Sequence, residues 1–355
     1  MRVGISLLTL VPGVVGGSET YARELARALA RVGELEYRAF LPAIAPDAAD
    51  GLPGTVVREY RAARSLPGRI GAMSLAAAAP SRIVRRFELD RLDAIHFPLS
   101  VMLPSVDRPP AATTIHDLQH EHYPRFFSRP ELIYRRAVYG WTVRGSRVVI
   151  AISEHARETL LERYRLPAGR VRTIHLGIDR ERFSPDGGAR EPFLLYPANR
   201  WPHKNHERLF SAFALLRRER PELRLVLTGT GHGGRPLPDG VAARGRVTDG
   251  ELVELYRRAA CLVFPSLYEG FGLPPLEAMA CGCPVAVSRA ASLPEVCGDA
   301  AEYFDPLSPE DMAAAVLRAL GGSRTAAGLD RARLFSWEDC ARRHDAVYRE
   351  LAAGA

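Results

Sequence analysis

Apolar residues fall along this chain in two arrangements that alternate from end to end. Short runs that are apolar almost throughout, at residues 2–8, 111–115, 193–198 and 261–265, read as strands buried on both faces, the habit of a parallel sheet covered by helices. Between them lie longer stretches with helical spacing, among them the one carrying Leu209, Phe210 and Phe213. In the first half, strands are expected near Val3, Tyr37, Val56, Ala94, Thr113 and Val149; in the second, where the alternation is cleaner, near Leu194, Leu225, Arg246, Leu262 and Val285. Thr248-Asp-Gly-Glu251 sets a glutamate three residues after a hydroxyl, the spacing of a capping box, and predicts a helix start. The alternation as a whole predicts an α/β protein with two doubly wound, Rossmann-like domains. Ser184-Pro-Asp-Gly-Gly188 is rich in turn formers and is the expected linker, which places the domains at residues 1–184 and 189–334. A last stretch, 335–355, opens with Phe335-Ser-Trp337 and continues as a helix.

Composition narrows the class. A chain of 355 residues has the length of two or three domains, and 47% hydrophobic with 25% charged residues is ordinary for a globular protein. Five cysteines (Cys261, Cys281, Cys283, Cys297, Cys340) are too few and too oddly placed for a disulfide framework, and Cys281-Gly-Cys283 lacks partners for a zinc site, so buried thiols in a reducing cytosol are expected. The amino terminus enters a strand without an apolar leader and no run of eighteen apolar residues occurs, so a cytoplasmic chain is expected. A net charge of +7 invites nucleic acid, yet the arginines are scattered without an aromatic-basic motif, and no nucleic-acid partner is expected. Attraction to anionic small molecules, or peripheral contact with an anionic inner membrane leaflet, suits the charge better. Residues 66–87 set Arg69, Arg82, Arg85 and Arg86 around an alanine-rich stretch; they read as an interfacial helix or as a domain helix with a solvated basic face, broken or kinked at Pro80.

Three stretches carry candidate chemistry. In Glu269-Gly-Phe-Gly-Leu-Pro-Pro-Leu-Glu277, a glycine turn runs from a buried strand into a helix whose first turn suits Pro274 and Pro275. Glu269 falls on the loop and Glu277 in the opening turn of the helix, while Gly270 and Gly272 let backbone N–H groups approach a polar, hydroxyl-rich ligand. The same carboxylates also suit an acid/base pair of a glycosidase, or plain surface charge. Arg200-Trp-Pro-His-Lys204-Asn occupies a strand-to-helix turn, with Asn205 placed to cap the helix that follows. Cations at a helix amino terminus oppose its dipole unless an anion such as a diphosphate sits between them. Lys204 is the only lysine among 48 basic residues; a point charge is kept there beside a guanidinium able to fork onto two oxygens. A merely solvated lysine is the plainer alternative. The third stretch places Gly13, Gly16 and Gly17 after the first strand and ahead of a helix opened by Ser18, a phosphate-approach turn that matches neither the dinucleotide fingerprint nor a Walker loop. His116, beside Asp117 at the end of the run 111–115, stands where α/β sheets bind ligands, although a satisfied structural histidine is the competing reading there, and more so for His96.

Together these residues resemble the retaining glycosyltransferases of family 4, which have the GT-B fold of two Rossmann-like domains facing each other across a cleft. The likeness runs through Gly16-Gly17-Ser18-Glu19, Ile115-His116-Asp117, Ala151-Ile-Ser-Glu154, Arg200 to Asn205, Val226-Leu-Thr-Gly229, Gly245-Arg-Val247, Glu269 to Glu277 and Phe335-Ser-Trp337. It implies that Arg200 and Lys204 hold the diphosphate of a nucleotide sugar, that Glu277 binds the ribose and that Glu269 grips the transferred sugar. Gly270, Phe271, Gly272 and Leu273 would line sugar and phosphate, with main chain near Val247 meeting the base. Gly16 and Gly17 would approach the pyrophosphate, His116 would sit on the acceptor side, and the terminal helix would pack back on the first domain. Arg200, Lys204, Glu269 and His116 are thus the candidate catalytic residues. The resemblance implies retention without a protein nucleophile; no Asp-x-Asp triplet occurs, so neither metal nor cofactor is expected. The wording of residues 196–205 resembles members that transfer mannose in surface-polysaccharide assembly, which makes GDP-mannose the expected donor and UDP-glucose the next. The acceptor would be a sugar, a lipid-linked glycan or a small molecule. A phosphorylase or nucleotide-sugar epimerase on the same scaffold, and a non-catalytic nucleotide- or glycan-binding module, are the alternatives.

Overall fold

The computed structural model describes residues 1–14, 16–78, 80–233 and 236–354. It divides into two compact units, Met1–Gly177 with Trp337–Ala355, and Ile178–Ser336. The first unit carries seven strands, β1 (Arg2–Ser6), β2 (Glu36–Pro42), β3 (Gly54–Val57), β4 (Ala94–Phe97), β5 (Ala111–Ile115), β6 (Val148–Ala151) and β7 (Val171–Thr173). The second carries six, β8 (Glu191–Pro197), β9 (Arg224–Thr228), β10 (Val241–Ala243), β11 (Ala259–Phe264), β12 (Val285–Ser288) and β13 (Glu302–Phe304). The sheet orders are β3-β2-β1-β4-β5-β6-β7 and β10-β9-β8-β11-β12-β13, with the described pairings parallel. Each sheet therefore reverses its winding once, between β1 and β4 and between β8 and β11. Crevices at the carboxyl ends of such a switch are where open α/β sheets bind ligands.

The strands form where the apolar runs predicted them, because helices cover both faces: β4, β5, β6 and β12 are buried at every position. One strand lies elsewhere. The sequence placed one near Arg246, but β10 ends at Ala243, and Arg246 and Val247 sit in the loop that leads to the helix Asp249–Arg258. The three-residue edge strands β7 and β13 were not foreseen, since three residues carry no period to read. The capping box is present: the Thr248 hydroxyl accepts from the Glu251 N–H at 3.3 Å while the Glu251 carboxylate accepts from the Thr248 N–H at 2.7 Å.

Three boundaries move. The division between units falls at Gly177/Ile178, not in Ser184–Gly188, because Phe183 is buried against Tyr256 and Arg257 donates to the Ser184 carbonyl at 2.8 Å, which ties that stretch into the second unit. The first helix runs from Gly17 to Val32 with Gly16 as its N-cap, so it starts one residue ahead of Ser18; Val15 in this turn lies outside the described residues. Residues 66–87 form two helices, Leu66–Ala78 and Pro80–Phe87, with Ala79 between them outside the described residues. Proline stands first in the second helix, where its missing N–H costs nothing.

The helix Trp337–Ala353 belongs to the first unit and touches the helix Gly17–Val32, β4 and β5. A buried polar chain fastens it. Tyr348 O–H meets His96 Nδ1 at 2.8 Å, His96 Nε2 meets Thr114 Oγ1 at 2.8 Å, Thr114 meets Tyr21 O–H at 2.8 Å, and Tyr21 meets His344 Nε2 at 2.9 Å. Tyr37 O–H donates to the neighbouring Asp345. No described helix is long and apolar enough to cross a membrane.

Candidate functional site

The second unit gathers the candidate residues at its switch point. Arg200 and Lys204 follow β8, and Glu269 to Leu273 follow β11, the two strands that part there. Backbone bonds hold the two turns together: Lys204 N–H donates to the Trp201 carbonyl at 2.9 Å inside a short 3-10 turn, Pro202–Lys204, and Leu267 N–H donates to the His203 carbonyl at 2.8 Å. The Lys204 ammonium donates to Glu269 Oε1 at 2.6 Å and lies 5.2 Å from the Phe264 ring centroid. Both partners are only 14% exposed, so a charged pair sits mostly out of water at the end of β11. Arg200 donates to Glu207 Oε1 at 2.7 Å, a carboxylate that is 74% exposed, and its guanidinium lies over Phe210. Such a solvent-facing partner screens a cation weakly and yields readily to a stronger anion.

Asn205 occupies the N-cap position but its side chain does not cap. It enters the helix His206–Glu219 at φ 60°, a left-handed conformation asparagine tolerates, and spends its amide on the carbonyls of Pro265 (3.0 Å) and Pro306 (2.7 Å). The first N–H groups of that helix are thereby left without a side-chain cap next to Arg200 and Lys204. The next residue, His206, is buried with neither ring nitrogen bonded, and burial, reinforced by the nearby His232, Arg200 and Lys204, pushes it down to about 3. It is a neutral ring that senses both cations.

The glycine turn is held by a residue from outside its own stretch. Ser292, fully buried, shares its one hydroxyl proton between the Glu269 carbonyl at 2.9 Å and the Phe271 carbonyl at 2.7 Å. Nothing in its local sequence marks it, since its partners lie more than twenty residues away. Gly272 has φ 118° and caps the helix Leu273–Ala280; a Cβ there would meet Leu293 at 2.7 Å, so only glycine fits. Pro274 and Pro275 fall in the first turn as expected, but Glu277 is the fifth helical residue, just past that turn, because the helix starts at Leu273. Glu277 accepts from Tyr256 O–H at 2.8 Å. Burial, then the adjacent Glu277 charge, drives the Tyr256 hydroxyl far above its usual range, so it stays a donor that orients the carboxylate.

At the ends of β8, β9 and β10 the backbone is drawn close. Gly229, at φ 97°, has no room for a Cβ, which would meet the Ala198 carbonyl carbon at 2.9 Å, and its N–H donates to the Gly245 carbonyl at 2.7 Å. Asn199 Oδ1 accepts from both the N–H (2.7 Å) and the hydroxyl (2.9 Å) of Thr230, a second brace not foreseen from sequence. Val247, half-buried, follows two residues after Gly245.

The first unit holds the remaining candidates. Gly16 adopts φ 56°, and its turn is braced by Glu19, whose carboxylate accepts from the Gly13 N–H at 2.7 Å. Gly17 is exposed, and a Cβ added there would meet nothing within 4 Å. His116 directly follows β5 and is buried. Its Nε2 lies 2.7 Å from the Pro98 carbonyl, which only accepts, so Nε2 carries the proton and Nδ1 the lone pair. Burial holds the ring below its ordinary value, against the opposing pull of that carbonyl and Asp117, and Tyr21 packs edge-on at 4.8 Å. His96 belongs to the buried chain that fastens the terminal helix, the structural role its sequence context allowed. All five cysteines are buried and unbridged.

The model of the family described as "Glycosyltransferase Family 4" matches residues 15–182, and that described as "Glycosyl transferases group 1" matches residues 178–332. The chain is 31% identical over 270 residues to the O-antigen chain mannosyltransferase B of Escherichia coli, covering 68% of this chain and 70% of that protein. It is 31% identical over 242 residues to the MMP alpha-(1->4)-mannosyltransferase of Mycolicibacterium hassiacum, covering 61% of this chain and 59% of that one. In fold it is similar to sucrose-phosphate synthase from Thermosynechococcus elongatus, with a TM-score of 0.78 at 22% identity over the whole of both chains. It is also similar to Anabaena Alr3699/HepE, solved in complex with UDP and glucose, with a TM-score of 0.71 at 14% identity over 99% of this chain and all of that one.

Proposed function

We propose, from the premise that this chain belongs to the group 1, family 4 glycosyltransferases and has their GT-B fold, that it moves a hexosyl group from a nucleotide-diphosphate sugar to an acceptor hydroxyl with retention of configuration. The observation that carries the reading is the cation pair at the β8/β11 switch point. Lys204 is held out of water by Glu269, and Arg200 rests on an exposed carboxylate that a diphosphate readily displaces. The uncapped first-turn N–H groups of the helix at His206, and the single Leu273 N–H ahead of two prolines, add positive potential where negative charge develops.

In the reaction the anomeric C–O bond breaks and its electron pair passes to the diphosphate, whose growing charge Arg200 and Lys204 stabilise. The acceptor oxygen bonds the anomeric carbon on the face the diphosphate leaves, and its proton passes to the departing phosphate oxygen. Glu269, fixed by Lys204 and by Ser292 beneath its carbonyl, accepts from sugar hydroxyls. Glu277, oriented by Tyr256, accepts from the ribose, and main chain around Gly245 and Val247 meets the base. Gly16 and Gly17 approach the diphosphate, and His116 serves the acceptor side. The cation pair takes the place a metal clamp fills in other transferases, so the reaction runs without a metal or a cofactor. GDP-mannose is the donor in this reading, supported by the mannosyltransferases among the relatives, and the acceptor is a sugar, lipid-linked or small-molecule hydroxyl. The enzyme works in the cytoplasm, free or resting on the membrane, and takes no part in nucleic-acid binding.

A nucleotide-sugar panel tests this directly, scored for binding and for slow donor hydrolysis, with and without EDTA. GDP-mannose should bind tightest and turn over at the same rate in EDTA. Loss of turnover on chelation, restored by manganese, would overturn metal independence. Lys204→Ala should cut turnover by about 10²–10³-fold, the cost of one preorganised charge-stabilising donor. Glu277→Ala should weaken donor binding about tenfold through a lost ribose hydrogen bond. Wild-type rates and affinity in both variants would refute the assignment.

A further inference from the structure

The amino-terminal edge of the first sheet holds a feature the transfer reaction does not use. A cavity of about 780 Å³ opens there, at the opposite end of the strands from Gly16 and His116, a volume in the range of small-molecule sites. Glu36, Arg38 and Phe40, alternate residues on one face of β2, line it together with Arg2 of β1. Arg85 and Phe87, from the end of the helix Pro80–Phe87, close the other side, and Phe40 and Phe87, both buried, stack at 4.0 Å beneath it. β2 is an interior strand, between β3 and β1, of a parallel sheet, where charged side chains are seldom found, yet Arg38 stands exposed on it.

The charges along the wall do not cancel. Arg2 pairs with Glu36 at 3.1 Å, Arg91 with Glu88 at 3.1 Å, and Arg86 with Glu59 at 2.6 Å. Among the described residues Arg38 meets only the neutral Thr55 hydroxyl, at 3.2 Å, and Arg85 has no carboxylate partner at all. Two guanidinium groups are left over at the mouth of the cavity. Guanidinium forks match phosphate oxygens in pairs.

We infer that this cavity binds a phosphate monoester, its dianionic head held by Arg38 and Arg85. Two sources supply that chemistry, a soluble monoester and the headgroup of phosphatidic acid. The site is independent of the donor pocket, so the inference stands or falls apart from the transfer reaction.

The test titrates the full-length protein with 1-naphthyl phosphate, following ligand fluorescence, in the wild type and in Lys204→Ala, which removes the donor-side ammonium as a competing anchor. In both backgrounds Arg38→Ala with Arg85→Ala should weaken binding about tenfold or more, the loss of two charged hydrogen-bonding groups, and 1-naphthol should bind no better to the wild type than to the variant. The pair Arg38→Lys with Arg85→Lys keeps charge and bulk, so it reads the fork alone even where the alanine pair fails to fold. It should weaken binding about threefold, since an ammonium matches two oxygens less well. Sedimentation with vesicles of phosphatidylcholine, with and without phosphatidic acid, separates the sources. Pull-down that depends on phosphatidic acid and on Arg38 and Arg85 assigns the lipid headgroup, whereas naphthyl phosphate binding without such pull-down assigns a soluble ester. Equal naphthyl phosphate affinity in the wild type and both double variants overturns the inference.

Discussion

Single residues at the switch point do two jobs that an experiment can separate. Lys204 and Glu269 neutralise each other in a mostly buried setting, so removing one strands the other's charge. Lys204→Ala should therefore lower stability by about 2 kcal/mol, within the span for an unpaired buried group, as well as lowering turnover. Glu269→Gln is milder, since the amide oxygen still accepts from Lys204; its loss should fall on transfer far more than on melting temperature. The double variant Lys204→Ala with Glu269→Gln should then recover the melting temperature of wild type while transfer stays low, because no charge is left stranded but no cation meets the diphosphate. If the double variant regained turnover along with stability, Lys204 would be a structural counter-ion and nothing more. The sequence made Lys204 visible as the chain's only lysine. It did not show Glu269 as its partner, which lies 65 residues away, nor that Ser292 anchors the turn between them.

Among the elements, the terminal helix Trp337–Ala353 shows best what pattern conveys and what it leaves out. The resemblance implied the helix and its return to the first domain, but its attachment is made by isolated polar residues: Tyr348 reaches His96, His344 reaches Tyr21, and Asp345 accepts from the Glu34 N–H at 3.0 Å. Histidines and tyrosines scattered over 320 residues announce no such chain. Tyr348→Phe removes one hydroxyl and leaves His96 Nδ1 buried without a partner, so we expect a loss of about 1–3 kcal/mol, the cost of an unsatisfied buried group, measured by urea unfolding. A midpoint unchanged from wild type would show that the helix is held by apolar packing alone. The strands were legible for the opposite reason, since burial on both faces writes itself as an unbroken apolar run, as in β5 and β11. Where the rule fails, at β7, β10 and β13, the strand has three residues at or near a sheet edge, and pairing with a neighbour, not local pattern, decides its place. The helix starts at Gly17 and Leu273 slipped by a residue or two because their N-caps are glycines, which carry no side chain to mark the spot.

Across the whole molecule, buried neutral histidines make stability depend on pH, and they are unevenly shared. In the first unit, burial lowers His96 and His116 below their usual value of 6.5 and pushes His120 and His344 down to about 4; in the second, His206 is pushed to about 3. Each therefore binds a proton in the unfolded chain at a pH where the folded one refuses it. The resulting stability is complete above about pH 6.5 and is lost progressively as the pH falls toward 4, at up to about 1.4 kcal/mol per pH unit for each such group. With these four groups against one, and His122 held low by burial as well, the first unit should weaken sooner. In a Trp201→Phe variant the remaining tryptophans, Trp141 and Trp337, both lie in the first unit, so their fluorescence follows that unit alone. Its urea midpoint should fall clearly between pH 7.5 and pH 5. Replacing His344 by glutamine, a side chain that carries no charge at either pH, should flatten that fall by roughly one proton's worth while lowering the pH 7.5 midpoint through lost packing. A midpoint that does not move with pH in the Trp201→Phe protein would mean that these rings take up protons without unfolding the unit, and the buried chain from Tyr348 to His344 would then have to tolerate a positive charge at its centre.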